Sequence, residues 1–361
     1  MAKTKVSEFD STAANNTDID SINIAEGMAP SNVNNALRSM MSILKTEFFK
    51  TGSNNTSLGD TALDSLDGTS PGGNNTAIGS NALTANTTAS ENTAIGRNSM
   101  LGNTTGASNT ATGMASVANN TTGSFNSGFG RSALLQNTSG SNNTAMGYES
   151  LKNNSTASSN TAVGYQAMLA NTTGALNVAV GSNALDANQT GAANTAIGYN
   201  ALSAMTSDGS TAVGKDALEL NTTGVNTAVG ANTLAAVTTG TQNVAMGNDA
   251  LTVNTGNNNT GVGYRSLISN TSGAGNTAVG KDSGYYVTTG TDNTYIGLAA
   301  GPNLNASTGS NNTAVGRSAL RAITSASNNT AVGQAALTSN TTGAQNTAVG
   351  RFSMEDNTTG I

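Results

Sequence analysis

Few side chains in this 361-residue chain could do chemistry, and their spacing excludes most of it. There is no His and no Cys, which removes the usual general base, the triads built on it and the commonest metal ligands. Glycoside hydrolysis needs two carboxylates about 5–9.5 Å apart in a cleft. The 20 Asp and Glu are instead scattered, with no Trp as a sugar platform and no long insertion to wall a cleft. Calcium-binding repeats need regularly placed Asp in a Gly-Gly-x-Gly-x-Asp pattern, which is missing. Triplets such as Asn171-Thr172-Thr173 match a glycosylation signal in form only, as by-products of a repeat. The residues predict a protein that is not an enzyme and uses no cofactor and no metal.

The remaining polar chemistry recurs at one place in that repeat. Of nine Lys and Arg beyond Gly52, seven lie one or two places after a recurring glycine: Arg97, Arg131, Lys215, Arg265, Lys281, Arg317 and Arg351. Tyr148, Tyr165, Tyr199 and Tyr264 share the first of those places. The expectation is a solvated rim that keeps the protein soluble; a glycan-binding tyrosine stripe is the alternative. A net charge of −6 offers no basic patch, so nucleic acid is not an expected partner. The start, "MAKTKVSEFD", lacks the apolar core of a secretory signal, and no run approaches the roughly 18 apolar residues that span a membrane. The expected protein is soluble and made in the cytosol.

The elements that carry these residues follow from periodicity. Hydrophobics at 36%, aromatics at 4% and 43 Gly would by themselves suit a disordered chain. Eighteen copies of an "NTAVG"-like motif argue otherwise. They close at Gly59, Gly79, Gly96, Gly113, Gly130, Gly147, Gly164, Gly181, Gly198, Gly214, Gly230, Gly247, Gly263, Gly280, Gly297, Gly316, Gly333 and Gly350. Twelve of the seventeen intervals are 17 residues and three are 16. That period is too short for paired helices or a propeller blade. Thr, Ala and Val favour extended chain and Asn-Thr-Thr-Gly favours turns, which predicts an all-β repeat protein, a parallel β-solenoid of about 18 coils. At about 4.8 Å per coil, such a stack would be roughly 85 Å long. Pro71 and Pro302 fall in the two longest intervals, where a missing N–H interrupts least ladder.

The columns predict an interior. The residue before the glycine is apolar in all coils but one, where Thr112 stands, and the fourth after it is Leu, Met or Val except at Gly284 and Gly301. Both are expected to point inward, and strand alternation then turns the Thr three before the glycine inward and the Ala two before it outward. An inward Thr argues against an ice-binding Thr face. The seventh residue after the glycine is Asn in twelve coils and aliphatic in six (Leu66, Met205, Val237, Val287, Leu304 and Ile323). That restriction predicts a buried column of hydrogen-bonded amides; a turn preference for Asn is the alternative. A second Asn column, four before the glycine, is broken only by Ser210. With about two aliphatic side chains per coil the core is thin. The small columns taken as outward (Ala, Gly, and the Ala, Ser or Thr three after the glycine) then suggest close lateral packing of identical rolls as a homotrimer.

Residues 1–52 carry no repeat. "APSNVNNALRSMMSILKTEFF" places Pro30 at a helix start and Val33, Leu37, Met40, Leu44 and Phe48 on a coiled-coil-like seam. A trimeric neck over 30–52 is the expectation, with a helix packed on its own chain as the alternative. Residues 1–29 would be an extended polar arm, and 53–361 the shaft.

"INIAEGMAPSNVNNALRSMM", Ile22 to Met41, closely resembles a segment near the N-terminus of many bacteriophage tail fibre proteins, in which the N-terminal region attaches the fibre to the particle. That resemblance implies virion attachment through Ile22, Asn23, Ile24, Ala25, Glu26 and Gly27. It also implies a tail, adaptor or portal-region protein as docking partner and a host receptor, met directly or through a tip protein. The repeats resemble the "SVAIG" coils of trimeric autotransporter adhesin heads, left-handed parallel β-rolls wound as homotrimers, and similar "NTAVGYQAL" repeats occur in fibres of aquatic phages. Here the coil is longer and neither an export signal nor a membrane anchor is evident. Those departures favour a virion fibre over a bacterial surface adhesin or a polysaccharide-cleaving tailspike. The sequence stops at "MEDNTTGI", in mid-repeat, so a capping partner or a following segment is expected.

Overall fold

The structure, a computed structural model, describes residues 18–19, 22–23, 33–41, 54–65 and 72–360. They divide into two compact units, Met1–Asn143 and Thr144–Ile361. In the first, β1 (Asp18–Ile19) and β2 (Ile22–Asn23) pair antiparallel and a helix, α1, spans 33–41. Five three-residue strands follow, from β3 (Thr56–Leu58) to β7 (Ser127–Phe129). The second unit holds thirteen more, from β8 (Thr144–Met146) to β20 (Thr347–Val349). Within each unit successive strands pair in parallel and in register, so that Ala77 faces Ala94 and Val178 lies between Thr161 and Thr195. One short strand per coil with parallel neighbours is a parallel β-solenoid, as the period predicts.

The corners of each coil are made by residues at positive φ. Besides the motif glycine itself, they occupy three columns: the second and fourth after it and the fifth before it. Asn81, Asn98, Asn142 and Asn200 suit such places, because Asn tolerates the left-handed region. Leucine does not, yet Leu83 has φ 53° and Leu185 φ 55°. That conformation costs about 1–2 kcal/mol, whereas burying a leucine side chain contributes about 1.5–3 kcal/mol. Burial wins: both side chains are fully buried.

The two Asn columns hold the interior together. Four before the glycine, each Asn accepts the backbone N–H of its counterpart one coil on, as from Asn92 to Asn75 Oδ1 (2.9 Å) and from Asn194 to Asn177 Oδ1 (2.9 Å). Its own amide donates to a turn carbonyl, as Asn92 Nδ2 does to Gly106 O (3.0 Å). Ser210, the one exception, does the same work with a hydroxyl: it accepts from Asn226 N (3.2 Å) and donates to Gly224 O (3.0 Å). In the column seven after the glycine the side chains bond to one another. Asn171 Nδ2 donates to Asn154 Oδ1 (2.9 Å) and to Gly174 O (3.0 Å), and Asn171 Oδ1 accepts from Asn188 Nδ2 (3.1 Å). Buried amides that satisfy each other and the backbone avoid the penalty of unpaired polar groups.

This ladder makes a direct prediction. Asn171→Asp removes both donated bonds and sets carboxylate oxygens against two acceptors, which is expected to cost at least about 1–3 kcal/mol. Lys215 has a side chain 65% exposed and pairs with Asp216 at 2.8 Å. Lys215→Ala should therefore leave stability unchanged, as surface pairs contribute little. Asn221 gives an internal contrast. It stands between Met205 and Val237 in its column, and its Oδ1 is buried without a partner, so Asn221→Leu should be tolerated. Denaturation midpoints of the three variants check this; equal midpoints for Asn171→Asp and Lys215→Ala would contradict it.

The strand parity differs from expectation. The Ala two before the glycine is buried, including Ala77, Ala145 and Ala196, whereas Ile78, Met146 and Ile197 in the column before the glycine are exposed. The Thr column beside them is half-exposed, and the third residue after the glycine, such as Ala82, Ser150 or Ala167, is interior. The reason is space. A Cβ built on Gly128, which stands where Ala usually is, would lie 2.5 Å from Val117 Cγ2 and 2.6 Å from Ser116 Oγ. The third and fourth residues after the glycine already fill the volume opposite the strand: at Gly128 even a methyl group is too large, in the other coils the methyl of a buried Ala is accommodated, and two branched side chains have no place. The small columns are therefore the core, and they do not form the outward surface inferred for lateral packing.

One member of the aliphatic set also departs. Leu304 is 50% exposed, because its coil is longer and Ser307 takes the interior place, bridging to Val287 and buried. Leu66 lies outside the described residues.

The exception at Tyr295 shows the same packing rule. It stands in the Ala column, in β17 (Thr294–Ile296), and is fully buried. The two coils with glycine in place of the Leu, Met or Val of that column are those it touches. A Cβ on Gly301 would lie 2.6 Å from the Tyr295 ring, and one on Gly284 would lie 3.0 Å from its Cδ2. One ring replaces two leucines. Burial pushes the phenol well above its ordinary range, with Asn312 opposing the shift, and the hydroxyl lacks a partner in hydrogen-bonding geometry.

Candidate interaction surface

In each unit the outward face of the strands carries two columns in register, Thr and then an apolar residue. In the first unit the apolar column runs Leu58, Ile78, Ile95, Thr112 and Phe129, all exposed or half-exposed. In the second it includes Met146, Ile197, Met246, Ile296 and Val332, with Met246 at 49%. Parallel register brings these side chains into a continuous strip on each stack. Monomeric soluble proteins rarely leave large contiguous apolar patches uncovered. No charge interrupts the strip, since the motif supplies none.

The rim lies beside this face. Tyr148, Tyr165, Tyr199 and Tyr264 are exposed, as expected. Tyr148 and Tyr165 stack with ring centroids 5.5 Å apart and planes within 9°. The spacing of coils brings successive rim rings together, a contact legible from their shared place in the repeat. Lys152 binds Glu149 at 2.7 Å, and this bond, with one from Gln166, holds the Glu149 carboxyl below its ordinary range.

A second feature was not anticipated from sequence. Arg265, Asp282, Tyr285, Tyr286 and Asn303 line an open cleft of about 240 Å³. Arg265 donates from Nε and Nη2 to Asp282 Oδ1, both at 2.9 Å. Its guanidinium lies 4.7 Å from the Tyr264 ring centroid and 5.0 Å from that of Tyr285. Tyr285 and Tyr286 meet edge to face at 4.6 Å, and Asn303 Nδ2 donates to Asp282 O at 2.9 Å. The available signal was "GYYV", two adjacent aromatics in a chain with 4% of them.

The residues expected to serve attachment and the neck are only partly described. Ile22 and Asn23 form β2, while Ile24, Ala25, Glu26 and Gly27 lie outside the described residues. Val33, Leu37 and Met40 lie on α1 and are exposed, Leu37 at 53%, while Ala36 is buried. Leu44 and Phe48 lie outside the described residues. Among the described residues no group of three or more potential ligands gathers to hold a metal, and no helix is long and apolar enough to cross a membrane. No protein-family model and no curated protein matches this chain.

Proposed function

We propose that this chain is the structural shaft of a phage virion fibre, a non-enzymatic homotrimer that links the particle to a host receptor. The observation that carries the reading is the exposed apolar column on the strand face. Its chemistry repeats once per coil without charge, so the surface that complements it over many coils is one with the same spacing. An identical parallel chain has that spacing, whereas a globular partner would meet a few coils. The exposed Val33, Leu37 and Met40 of α1 supply an apolar stripe of the same kind at the neck. The number three and the virion setting come from the resemblances of the repeat and of Ile22 to Met41.

One observation favours a second reading. Thr and Val share an outward face, so the parity that spoke against ice binding no longer does. The apolar column, however, accepts Leu, Ile, Thr, Phe, Met and Val. Such variation suits a compliant protein contact better than a crystal lattice. Thermal hysteresis in a solution of the protein would support ice binding, and its absence is the expected result.

Attachment is tested by deletion. An extended polar arm cannot bury a core alone and should order against a partner, so removing residues 1–29 is expected to leave a folded trimer that no longer joins the virion. Particles that still carry the truncated fibre would place attachment elsewhere.

A further inference from the structure

We propose that the cleft formed by Arg265, Asp282, Tyr285, Tyr286 and Asn303 binds a neutral sugar unit of an oligosaccharide or polysaccharide. The cleft spans three successive coils, with Arg265 from the first, Asp282, Tyr285 and Tyr286 from the second and Asn303 from the third. It lies where the repeat departs furthest from its rule, with Gly284, Tyr295, Gly301 and Pro302 within nineteen residues. The interior exchange of two leucines for Tyr295 keeps the core filled, while Tyr285 and Tyr286 occupy the fifth and sixth places after the motif glycine, where the other coils carry no aromatic residue.

The chemistry selects the ligand class. An aromatic face packs against the C–H face of a pyranose, and Tyr286 is 37% exposed beside a second ring that fixes its angle. Sugar hydroxyls both donate and accept. Asp282 accepts, Arg265 donates, and Asn303 and the tyrosine hydroxyls do both. Within the lining an anionic ligand is disfavoured, because the Arg265 charge is already matched by Asp282 in a bond at 2.9 Å; Lys281, outside the lining and 60% exposed, reaches the same carboxylate only at 4.0 Å. The volume of about 240 Å³ is below the roughly 300–1,000 Å³ of pockets for drug-sized ligands, which suits one ring, and the open shape lets a chain continue on either side. The groups are also pre-organised. Arg265 is held between two rings and a carboxylate, and the backbone of Tyr286 is pinned by bonds from its N–H to Pro302 O (3.0 Å) and from Ser307 N–H to its carbonyl (2.8 Å). Little ordering is then left to oppose binding.

Saturation-transfer NMR on the full chain tests this, with the methyl glycosides of glucose, galactose, mannose and N-acetylglucosamine as probes and methyl glucuronide as the anionic control. At least one neutral glycoside should receive saturation. Tyr286→Ala should weaken its binding by about 10-fold, corresponding to one lost ring contact, and Asn303→Ala should weaken it as well. Tyr148→Ala, a rim variant away from the cleft, should have no effect. The proposal is overturned if no neutral glycoside binds, if binding survives both cleft substitutions, or if the glucuronide binds best. Thermal melting of Tyr286→Ala and Asn303→Ala confirms that a loss of binding is not a loss of fold.

Discussion

Tyr295→Ala is expected to destabilise the Thr144–Ile361 unit by about 3–5 kcal/mol, the range for removing a large buried aromatic. The ring is fully buried and both neighbours that could fill the space are glycines. Collapse is therefore poor, and cavity cost rises with the volume left open. Restoring the ordinary pattern should rescue the variant. Gly284 and Gly301 have φ of 61° and 77°, on the same side as the leucines of that column, so both places suit Leu once the ring is gone, provided that the Leu267 side chain, whose Cδ2 lies 2.8 Å from a Cβ on Gly284, turns into the vacated space. The triple variant should recover most of the lost stability, and the two leucine substitutions without Tyr295→Ala should overpack the core. Repeat arrays unfold locally, so hydrogen exchange across residues 280–316 is the appropriate readout. Unchanged protection in Tyr295→Ala would contradict the packing account.

Gly247→Ala should be comparably damaging for a different reason. Gly247 has φ +126°, and its added Cβ would lie 2.7 Å from both the carbonyl carbon and oxygen of Gly263. Backbone strain of that kind costs about 1–3 kcal/mol and forced overpacking about 1–3 kcal/mol. The obstructing atoms are the next coil's backbone, which cannot move without the ladder. Gly209 is the control. Its φ is +80°, and the nearest atom to an added Cβ is Val225 Cγ1 at 3.7 Å. Asn already stands at positive φ in the same column, at Asn142 and Asn258, so Gly209→Asn should be tolerated. Denaturation midpoints separate the two; equal losses would show that coil contact is not what requires the motif glycine.

The fold class was legible because the period is a property of spacing and survives any assignment of faces. The Leu and Asn columns were also legible, since a place restricted to Asn or a large aliphatic residue points to enclosure; Leu304 escapes it because the longer coil puts Ser307 inside. Parity was not. Alternation supplies two faces without saying which is inside, and the rule that apolar residues are buried runs one way only. Placing Val and Ile inward left Ala for the surface, yet the room inside most coils fits a methyl group. The correcting signal was present in Tyr295, a lone aromatic in the Ala column, beside the two coils whose Leu is replaced by Gly284 and Gly301. Only an inward Ala column explains that exchange. The cleft was out of reach for another reason: Arg265, Tyr286 and Asn303 come from different places in three coils and meet only once the stacking offset is known.

The apolar strand face carries the proposal, and the expected consequence is self-assembly. The molar mass of the full chain in solution, measured by light scattering at micromolar concentration, tests it most directly. Three chains of 35.7 kDa give 3 × 35.7 = 107.1 kDa, which is the predicted result, and a mass of 35.7 kDa, a monomer with its strand face open to water, would contradict it.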